Sequence, residues 1–384
     1  MSKVACRRVV TGIDDAERAL TVEIADGRIT AVRDGIEPDA QLLDGCLVPG
    51  YVDTHSHGAA GADFTDPDPA KVARAIEHHR RHGSTTLFAS TVTAPMDTVV
   101  EQIIRLRAVV DADELQGIHI EGPFLAEERK GAHPTELLMD PTPEAIEQII
   151  AASGGAGASG GAVKMITLAP ERGNGFGAVR RLCEAGIIPA FGHSDADAET
   201  TRRAIAEGMN VATHLFNAMR PIHHREPGPV PVLLNDASVH VELICDGVHL
   251  NPDIVRLAIE SAGQDRVLLV TDAMSATGCA DGRYQLGALP VEVSQGTARI
   301  VNPDGSAGAI AGSTLTMDRA FAFVVRCGYG MVTASRLASS NPARVHGLAE
   351  VGTVEPGKWA DLCLVDEAGE LRSVMRRGQW LEQP

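Results

Sequence analysis

Histidine and carboxylate side chains follow several short apolar runs of this chain, where they could bind a metal ion and activate a water molecule. The first run, residues 47–53, leads into His55 and His57. Because side chains alternate along an extended strand, these two histidines point to the same side and can reach one ion. An HxH pair alone is also common among structural histidines, but here it follows an apolar strand and precedes Gly58. The spacing predicts a metal site at this strand end.

Later apolar runs end in side chains of the same kinds, namely Glu121, His193, His214, Asp246 with His249, and Asp272. A single histidine in such a place is more often a hydrogen-bonded structural residue. An ionised carboxylate such as Glu121, however, is costly to bury without a partner, and so many strand ends of this kind are difficult to explain by packing. Imidazole and carboxylate ligands without thiolate suit zinc or another borderline divalent metal. The set therefore predicts one shared metal centre.

The remaining histidines are interpreted as structural. Three of them share a predicted helix, where no Glu completes an HExxH motif and a solvated face is expected: His78, His79 and His82. His119 points the same way as Glu121 but lies two residues deeper, so we expect it to be buried and hydrogen-bonded. No partner is visible in the sequence for His240 or His346.

Apolar runs alternate with helical patterns and are expected to position these residues. The predicted strands are 47–53, 84–91, 117–121, 163–168, 187–192, 211–214, 241–245 and 267–271, and helical patterns at 69–82, 96–110 and 252–262 separate some of them. Strands that alternate with helices form parallel βαβ units, and eight of them predict a closed (β/α)₈ barrel whose strand carboxyl ends carry the active site. A doubly wound open sheet is the alternative. The first strand is followed by no glycine-rich phosphate loop, which argues against it.

The two chain ends predict a second, smaller unit. Two β-type runs flank Asp26-Gly27, a strong hairpin signal, and short β-type runs return near residues 361–378. We therefore expect an α/β protein: a TIM-like (β/α)₈ barrel at residues 49–345, and a small β-sandwich domain built from residues 1–48 and 346–384. The low-complexity segment 153–161 predicts a flexible loop, to which we assign no function.

Composition excludes several classes of partner. The 384 residues carry a formal net charge of −17, which disfavours nucleic acid and anionic membranes as partners. An anionic substrate would need a local cluster of Arg and His. The seven cysteines form no CxxC pair, so free thiols in a reducing compartment are expected. The start has no signal-peptide pattern and no apolar run could span a bilayer, so we expect a soluble cytoplasmic protein.

An ordered set of motifs runs from about residue 48 to residue 317: Pro49 to Gly58, Glu121-Gly-Pro-Phe124, Lys130-Gly-Ala-His133, Gly192-His-Ser194, Thr213 to Met219, Arg225-Glu-Pro-Gly228, Asp246-Gly-Val-His249, Thr271-Asp-Ala-Met274 and Ala311 to Met317. The first resembles the first-strand signature of the amidohydrolase superfamily. Together they resemble the N-acetylglucosamine-6-phosphate deacetylase family within it.

This resemblance implies roles for individual residues. Glu121, His193 and His214 would hold one metal ion, and His55 and His57, with Glu121 bridging, would hold a second. The expected ion is Zn²⁺, with Fe²⁺ or another divalent ion as the alternative, at one or two ions per subunit. Asp272 matches the family's catalytic carboxylate. The residues implied to contact the substrate are His133, Asn217, Ala218, Arg225, His249 and Ile310. Members of the family are homodimers in which the Arg225 loop reaches toward the neighbouring active site.

The implied reaction is hydrolysis of the acetamide of a phosphorylated amino sugar. A divalent metal lowers the pKa of bound water to about 7. Asp272 can accept the proton of that water and return it to the departing amine, while the metal and His133 stabilise the oxyanion. Two other readings stay open: another amidohydrolase, such as a cyclic-amide hydrolase or nucleobase deaminase, and a catalytically inactive scaffold. Cyclic-amide hydrolases often use a carboxylated lysine at the fourth strand, but Lys164 begins that strand instead of ending it.

Overall fold

The computed structural model describes residues 2–155 and 161–382. Its strands are β1 Ser2–Val10, β2 Glu17–Ala25, β3 Arg28–Asp34, β4 Gln41–Leu43, β5 Cys46–Pro49, β6 Tyr51–Asp53, β7 Gly58–Ala59, β8 Ala62–Asp63, β9 Ser84–Thr91, β10 Gly117–Glu121, β11 Val163–Leu168, β12 Ile188–Phe191, β13 Val211–Ala212, β14 His240–Ile244, β15 Val267–Val270, β16 Gly282–Leu286, β17 Leu289–Ser294, β18 Thr297–Val301, β19 Ala307–Ile310, β20 Leu362–Val365, β21 Leu371–Arg376 and β22 Gln379–Trp380. Its α-helices are α1 Pro69–Arg81, α2 Met96–Asp111, α3 Pro143–Ser153, α4 Gly175–Glu184, α5 Ala198–Ala206, α6 Val230–Asn235, α7 Pro252–Ala262, α8 Met317–Arg326, α9 Met331–Ser335 and α10 Asn341–Val345. Of the loop predicted at 153–161, residues 156–160 lie outside the described residues.

The predicted barrel is confirmed. Within the described residues, eight parallel strands pair in the order β6, β9, β10, β11, β12, β13, β14, β15, and each lies within or overlaps one predicted run. The first run is divided, because β5 joins the sheet of the chain ends and β6 joins the barrel. Gly50 separates them at a close approach, since a Cβ there would lie 2.2 Å from Thr85 Oγ1.

Closure of the barrel takes place beyond the strand ends, at the residues that carry the chemistry. The backbone N–H of Asp272 donates to His55 O at 2.8 Å, and that of His57 donates to Ala273 O at 2.7 Å. A parallel bridge joins Ser56 to Ala273. The first and last strand ends are therefore linked directly, and the open doubly wound sheet is ruled out.

A second sheet unites the two chain ends, as predicted. Its strands follow the order β22, β21, β20, β5, β1, β2, β3, and β20 pairs antiparallel with β5. Asp26 (φ 51°) and Gly27 (φ 77°) form the turn between β2 and β3. Two positive φ angles are typical of the type I′ hairpin turn that the Asp-Gly pair predicts. The division of the chain at residues 48 and 345 stays a prediction.

An antiparallel sheet of β16, β17, β18 and β19 is inserted between β15 and α8, which the sequence reading missed. Its signals were present: alternate residues of β17 are buried, and Gln295 and Gly296 form a turn with φ 52° and 72°. Apolar side chains of this sheet pack against Ala132 and Met274. The insertion therefore lies against the barrel mouth.

Helix α1 corrects one histidine assignment. Asp68 caps its first turn by accepting from Ala70 N–H at 2.9 Å, and the helix buries Val72, Ala75, Ile76 and His79 against the barrel. The predicted solvated face is wrong for His79, because its position falls on the apolar side of the helix and its Nε2 lies 3.1 Å from Ser56 Oγ.

His119 is buried as predicted, with its nitrogens 3.0 Å from Ser90 Oγ and 2.7 Å from Thr167 Oγ1. In the described part of the chain, no helix combines the length and apolarity needed to cross a membrane.

Candidate metal centre

Glu121, the last residue of β10, lies among histidine rings from other strand ends. Its Oε1 is 3.0 Å from His214 Nε2 and 3.3 Å from His193 Nε2. The two Nε2 atoms are 3.1 Å apart, and all three side chains are buried. One oxygen and two imidazole nitrogens thus converge on one point, at a separation that suits ligands of a single ion.

A second group of donors shares Glu121. Its Oε2 lies 3.2 Å from His57 Nε2. Asp272 Oδ1 lies 3.0 Å from His57 Nε2 and 3.5 Å from His55 Nε2. These four side chains are buried and offer ligand atoms within 4.8 Å of one another. The structure therefore brings together the five histidine and glutamate residues proposed as ligands, with Glu121 common to both groups.

Hydrogen bonds orient two of the rings toward the centre. The Nδ1–H of His193 donates to the backbone oxygen of Arg129 at 2.9 Å, and the Nδ1–H of His55 donates to Glu242 Oε2 at 3.3 Å. In the neutral, metal-binding form of each ring, this contact leaves the lone pair on Nε2, which points at the other ligand atoms. Metal-binding histidines are commonly oriented in this way.

The backbone is strained where three of these side chains leave their strands. His193, His214 and Asp272 have φ angles of 48°, 29° and 49°. Such conformations cost about 1–3 kcal/mol for a residue with a side chain and cluster at functional sites. The sharp turn directs each side chain inward at the end of its strand.

The buried carboxylates and histidines of the two donor groups shift one another's pKa values. Burial opposes ionisation of Asp272, but His55 and His57 outweigh burial and lower its pKa to about 2. Burial opposes protonation of His57, but Asp272 and Glu121 raise its pKa to about 9. Two buried carboxylates are thus balanced by protons in the metal-free protein, and a divalent ion would replace those protons. His55 Nε2 has no hydrogen-bond partner among the described residues, so the donor set fits a metal ion.

A cavity of about 330 Å³ opens above the donors. Its lining includes these predicted substrate contacts: His133, Asn217, Ala218, His249 and Ile310. Arg225 does not line it; the side chain is exposed, with Nη1 2.6 Å from His224 Nε2. One subunit alone therefore does not bring Arg225 to the cavity.

His133 and His249 enter the cavity with defined hydrogen bonding. The backbone N–H of Thr93 points at His133 Nδ1 at 3.4 Å, and its hydroxyl lies 2.7 Å from the same atom. Nδ1 is therefore an acceptor, and the hydrogen of the ring is on Nε2. His133 Nε2 lies 3.8 Å from Glu121 Oε2. Burial opposes protonation of His249, but its 2.7 Å contact with Asp246 outweighs burial and raises its pKa.

The structure adds residues that the sequence reading did not single out. Glu128, Arg129 and Leu286 line the cavity, and Arg129 also accepts the hydrogen bond that orients His193. Arg129 directly precedes the Lys130 motif, and this position could have indicated that it lies near the site. Glu242 could have been found by the argument used for Glu121, because it is a carboxylate inside an apolar strand.

Residues 46–381 match the model of the Amidohydrolase family. The chain is 34% identical to the N-acetylglucosamine-6-phosphate deacetylase of Lysinibacillus sphaericus, covering 96% of this chain and 95% of that protein. It is also 34% identical to the N-acetylgalactosamine-6-phosphate deacetylase of Escherichia coli O157:H7, covering 96% and 99%.

Solved structures agree with these sequence matches. The structure is similar to that of N-acetyl-D-glucosamine-6-phosphate deacetylase from Mycobacterium smegmatis, with a TM-score of 0.92, 41% identity and full coverage of both chains at 100%. The enzyme of the same name from Thermotoga maritima gives a TM-score of 0.87 and 32% identity over 99% of this chain and 98% of that one.

Proposed function

The chain belongs to the amidohydrolase family, and from that premise we propose that it hydrolyses the acetamide of N-acetyl-D-glucosamine 6-phosphate to D-glucosamine 6-phosphate and acetate. One observation carries the proposal: two groups of buried side chains able to hold a metal share Glu121 beneath a single cavity, and one of the groups includes Asp272. Relatives of that activity that match nearly the whole chain support the substrate.

We propose Zn²⁺ as the cation, with Fe²⁺ or another divalent ion as the alternative. Glu121, His193 and His214 would hold one ion, and His55 and His57, with Glu121 bridging, a second. When bound, the metal acidifies water and polarises the acetamide carbonyl.

Residues of the chain carry the remaining steps. Asp272 accepts the proton of the attacking water and returns it to the nitrogen of the departing amine. Without that proton the nitrogen would have to depart as an anion, which is a very poor leaving group. The Nε2–H of His133 donates to the acetamide oxygen as negative charge develops there. Thr93 keeps that hydrogen on Nε2 through its two contacts with Nδ1.

Phosphate recognition would involve a second subunit. In this proposal Asn217, Ala218 and His249 contact the sugar phosphate from within the chain, and Arg225 of the neighbouring copy completes the site. Its guanidinium offers a planar pair of donors that suits phosphate. Two large exposed apolar side chains near these loops, Ile222 (50% exposed) and Val248 (47% exposed), support a homodimer.

N-acetyl-D-galactosamine 6-phosphate is the second candidate substrate. It differs from N-acetyl-D-glucosamine 6-phosphate in the configuration of one hydroxyl. The E. coli relative named for that substrate aligns with 96% of this chain at 34% identity. Both sugars present the same acetamide and phosphate, so the chemistry of the centre would serve either.

The test is acetate release from both phosphorylated sugars and from unphosphorylated N-acetylglucosamine, with and without a chelator. We expect turnover of at least one phosphorylated sugar that is lost with chelator and restored by Zn²⁺. Release of ammonia in place of acetate, or hydrolysis of cyclic amides alone, would point to another amidohydrolase. No turnover by protein with its metal in place would favour a scaffold.

A cytoplasmic location completes the proposal. It is supported by the cysteines, all seven of which lie within the described residues and are unpaired.

A further inference from the structure

Glu242 is a buried carboxylate of the barrel interior that the proposed function does not use. It lies on β14 with 0% exposure, between Val241 and Leu243 of the main apolar core. Its Oε2 is 3.3 Å from His55 Nδ1 and 3.3 Å from the backbone nitrogen of His214. Its Oε1 has no hydrogen-bond partner within the described residues.

Packing alone does not account for this side chain. A buried carboxylate with one unpaired oxygen is costly, and an apolar residue of similar volume would fill the same space at lower cost. The contact that offsets this cost joins the seventh strand to the end of the first, across 187 residues of sequence. Glu242 therefore acts on the histidine that it contacts.

His55 is held from two sides. Glu242 accepts the hydrogen of Nδ1, so in the neutral ring that binds a metal the lone pair is on Nε2. His119 packs edge-on against the same ring, with centroids 4.4 Å apart and an interplanar angle of 75°. Both nitrogens of His119 are engaged by Ser90 and Thr167, so His119 limits the position of the ring without hydrogen bonding to it. Among the described residues Glu242 is the hydrogen-bond partner of His55 Nδ1, and it thereby sets which nitrogen of the ring faces the centre.

We propose that Glu242 is a positioning residue that makes the His55–His57 half of the centre able to bind a cation. The inference rests on the proposed metal centre and deepens it, but it does not depend on the substrate. The principle is general, because carboxylates that accept the second N–H of a metal-bound histidine fix its tautomer and raise its affinity for the ion, and their loss typically weakens metal binding about 10–100-fold.

The effect should be confined to one half of the centre. His193 is oriented by the backbone oxygen of Arg129, and within the described residues Glu242 makes no hydrogen bond to that histidine. Among the residues that the structure describes, Glu242 hydrogen-bonds to the backbone nitrogen of His214 and not to its ring, which is directed by the strained turn at that residue. The group formed by Glu121, His193 and His214 should therefore keep its ion when Glu242 is replaced.

The experiment measures Zn²⁺ binding directly. Protein freed of metal with a chelator is titrated with Zn²⁺ in a calorimeter, and the ions retained after dialysis are counted by elemental analysis. We expect two ions per wild-type subunit. Glu242→Ala should weaken the second ion at least 10-fold and leave the affinity of the first within about threefold. Glu242→Gln keeps an oxygen for His55 Nδ1–H and should weaken the second ion less.

Two controls separate positioning from general damage. Leu243→Ala disturbs the same strand but faces the apolar core, so it should lower the melting temperature and still bind two ions. His55→Ala with Glu242→Ala should weaken the second ion no more than His55→Ala alone, because Glu242 acts through His55.

The proposal is overturned by full binding of two ions in Glu242→Ala, by loss of both ions in Glu242→Gln with Leu243→Ala unaffected, or by a wild-type stoichiometry of one ion that Glu242→Ala does not change. Since no substrate is used, failure here is distinct from failure of the deacetylase proposal.

Discussion

Asp272 Oδ1 lies 3.0 Å from His57 Nε2, so the carboxylate proposed to carry the proton contacts a histidine proposed to hold a cation. The proton acceptor would therefore lie next to a cation held by His57 and within reach of water bound to that cation. Asp272→Asn keeps the shape but removes the base, and we expect turnover to fall by about 10²–10⁴ with substrate binding retained. Steady-state kinetics together with metal content would test this. A variant within tenfold of wild type would contradict the assigned role.

The two groups of donors should differ in importance. His193→Ala or His214→Ala removes one of three ligands of the first group, so both metal and activity should be lost. His55→Ala or His57→Ala should be milder if the second ion is auxiliary. His346→Gln serves as the control, because His346 is a histidine outside both donor groups and packs against Phe88. Full metal content and normal turnover in His214→Ala would refute the ligand assignment, and an equal loss in all four variants would show that both ions are required.

Arg225 should matter for the phosphate and not for the chemistry. Arg225→Ala is expected to weaken the phosphorylated substrate strongly, while the poor turnover of unphosphorylated N-acetylglucosamine changes little, because only the former needs the guanidinium. Arg180→Ala, an exposed arginine of α4, is the matched control. A parallel loss on both sugars would mean that Arg225 supports the fold instead.

Contact across a dimer can be tested separately. Arg225→Ala mixed with Asp272→Asn should regain activity after subunit exchange, because one hybrid site then has an intact Arg225 from one copy and an intact Asp272 from the other. Absence of recovery in verified heterodimers would place the arginine contact within one chain.

Leu286 should limit the length of the acyl group. It lines the cavity beside Ala132, and the neighbouring Gly287 approaches Val92, which precedes the Thr93 that holds His133. Leu286→Ala should raise kcat/KM for the N-propionyl sugar relative to the N-acetyl sugar about tenfold, since one methylene in a pocket is worth about 1–3 kcal/mol. Leu289→Ala on the same hairpin is the control. An unchanged ratio would remove Leu286 from the acyl site.

Asp361 should make folding sensitive to pH independently of the metal centre. Burial raises its pKa to about 6, although its Oδ1 accepts a hydrogen bond from the backbone N–H of Arg377 at 2.6 Å. A carboxyl whose folded pKa exceeds its unfolded value contributes stability at low pH that is lost as the pH rises through about 6. From pH 5 to pH 8 the wild type should therefore lose roughly 1 kcal/mol of unfolding free energy that Asp361→Asn does not lose. Urea unfolding at both pH values measures it, and a difference that does not change with pH would contradict the prediction.

Much of the architecture was readable from local patterns. Each barrel strand appeared as an apolar run, and Asp26-Gly27 predicted its hairpin, because side-chain period and turn geometry depend on neighbouring residues only. The sequence patterns did not predict the short antiparallel insertion from β16 to β19. Its strands are only partly buried, so their pattern is weaker than that of the barrel.

The identity of the chemically active side chains was likewise determined by the sequence, since histidines and carboxylates at strand ends indicate a metal centre wherever the barrel closes. Only the tertiary structure decided which atoms meet. It showed that Glu242 contacts His55 from the seventh strand, which no motif had indicated. It also gave the contacts by which Glu121 belongs to both donor groups and the position of Arg225 outside the lining of its own cavity, where the family resemblance had supplied only the roles. Contacts of this kind join residues far apart in the chain and depend on the closure of the barrel and on which ring nitrogen carries the hydrogen. Neither the closure of the barrel nor the position of the ring hydrogen can be inferred from the spacing of residues along the sequence.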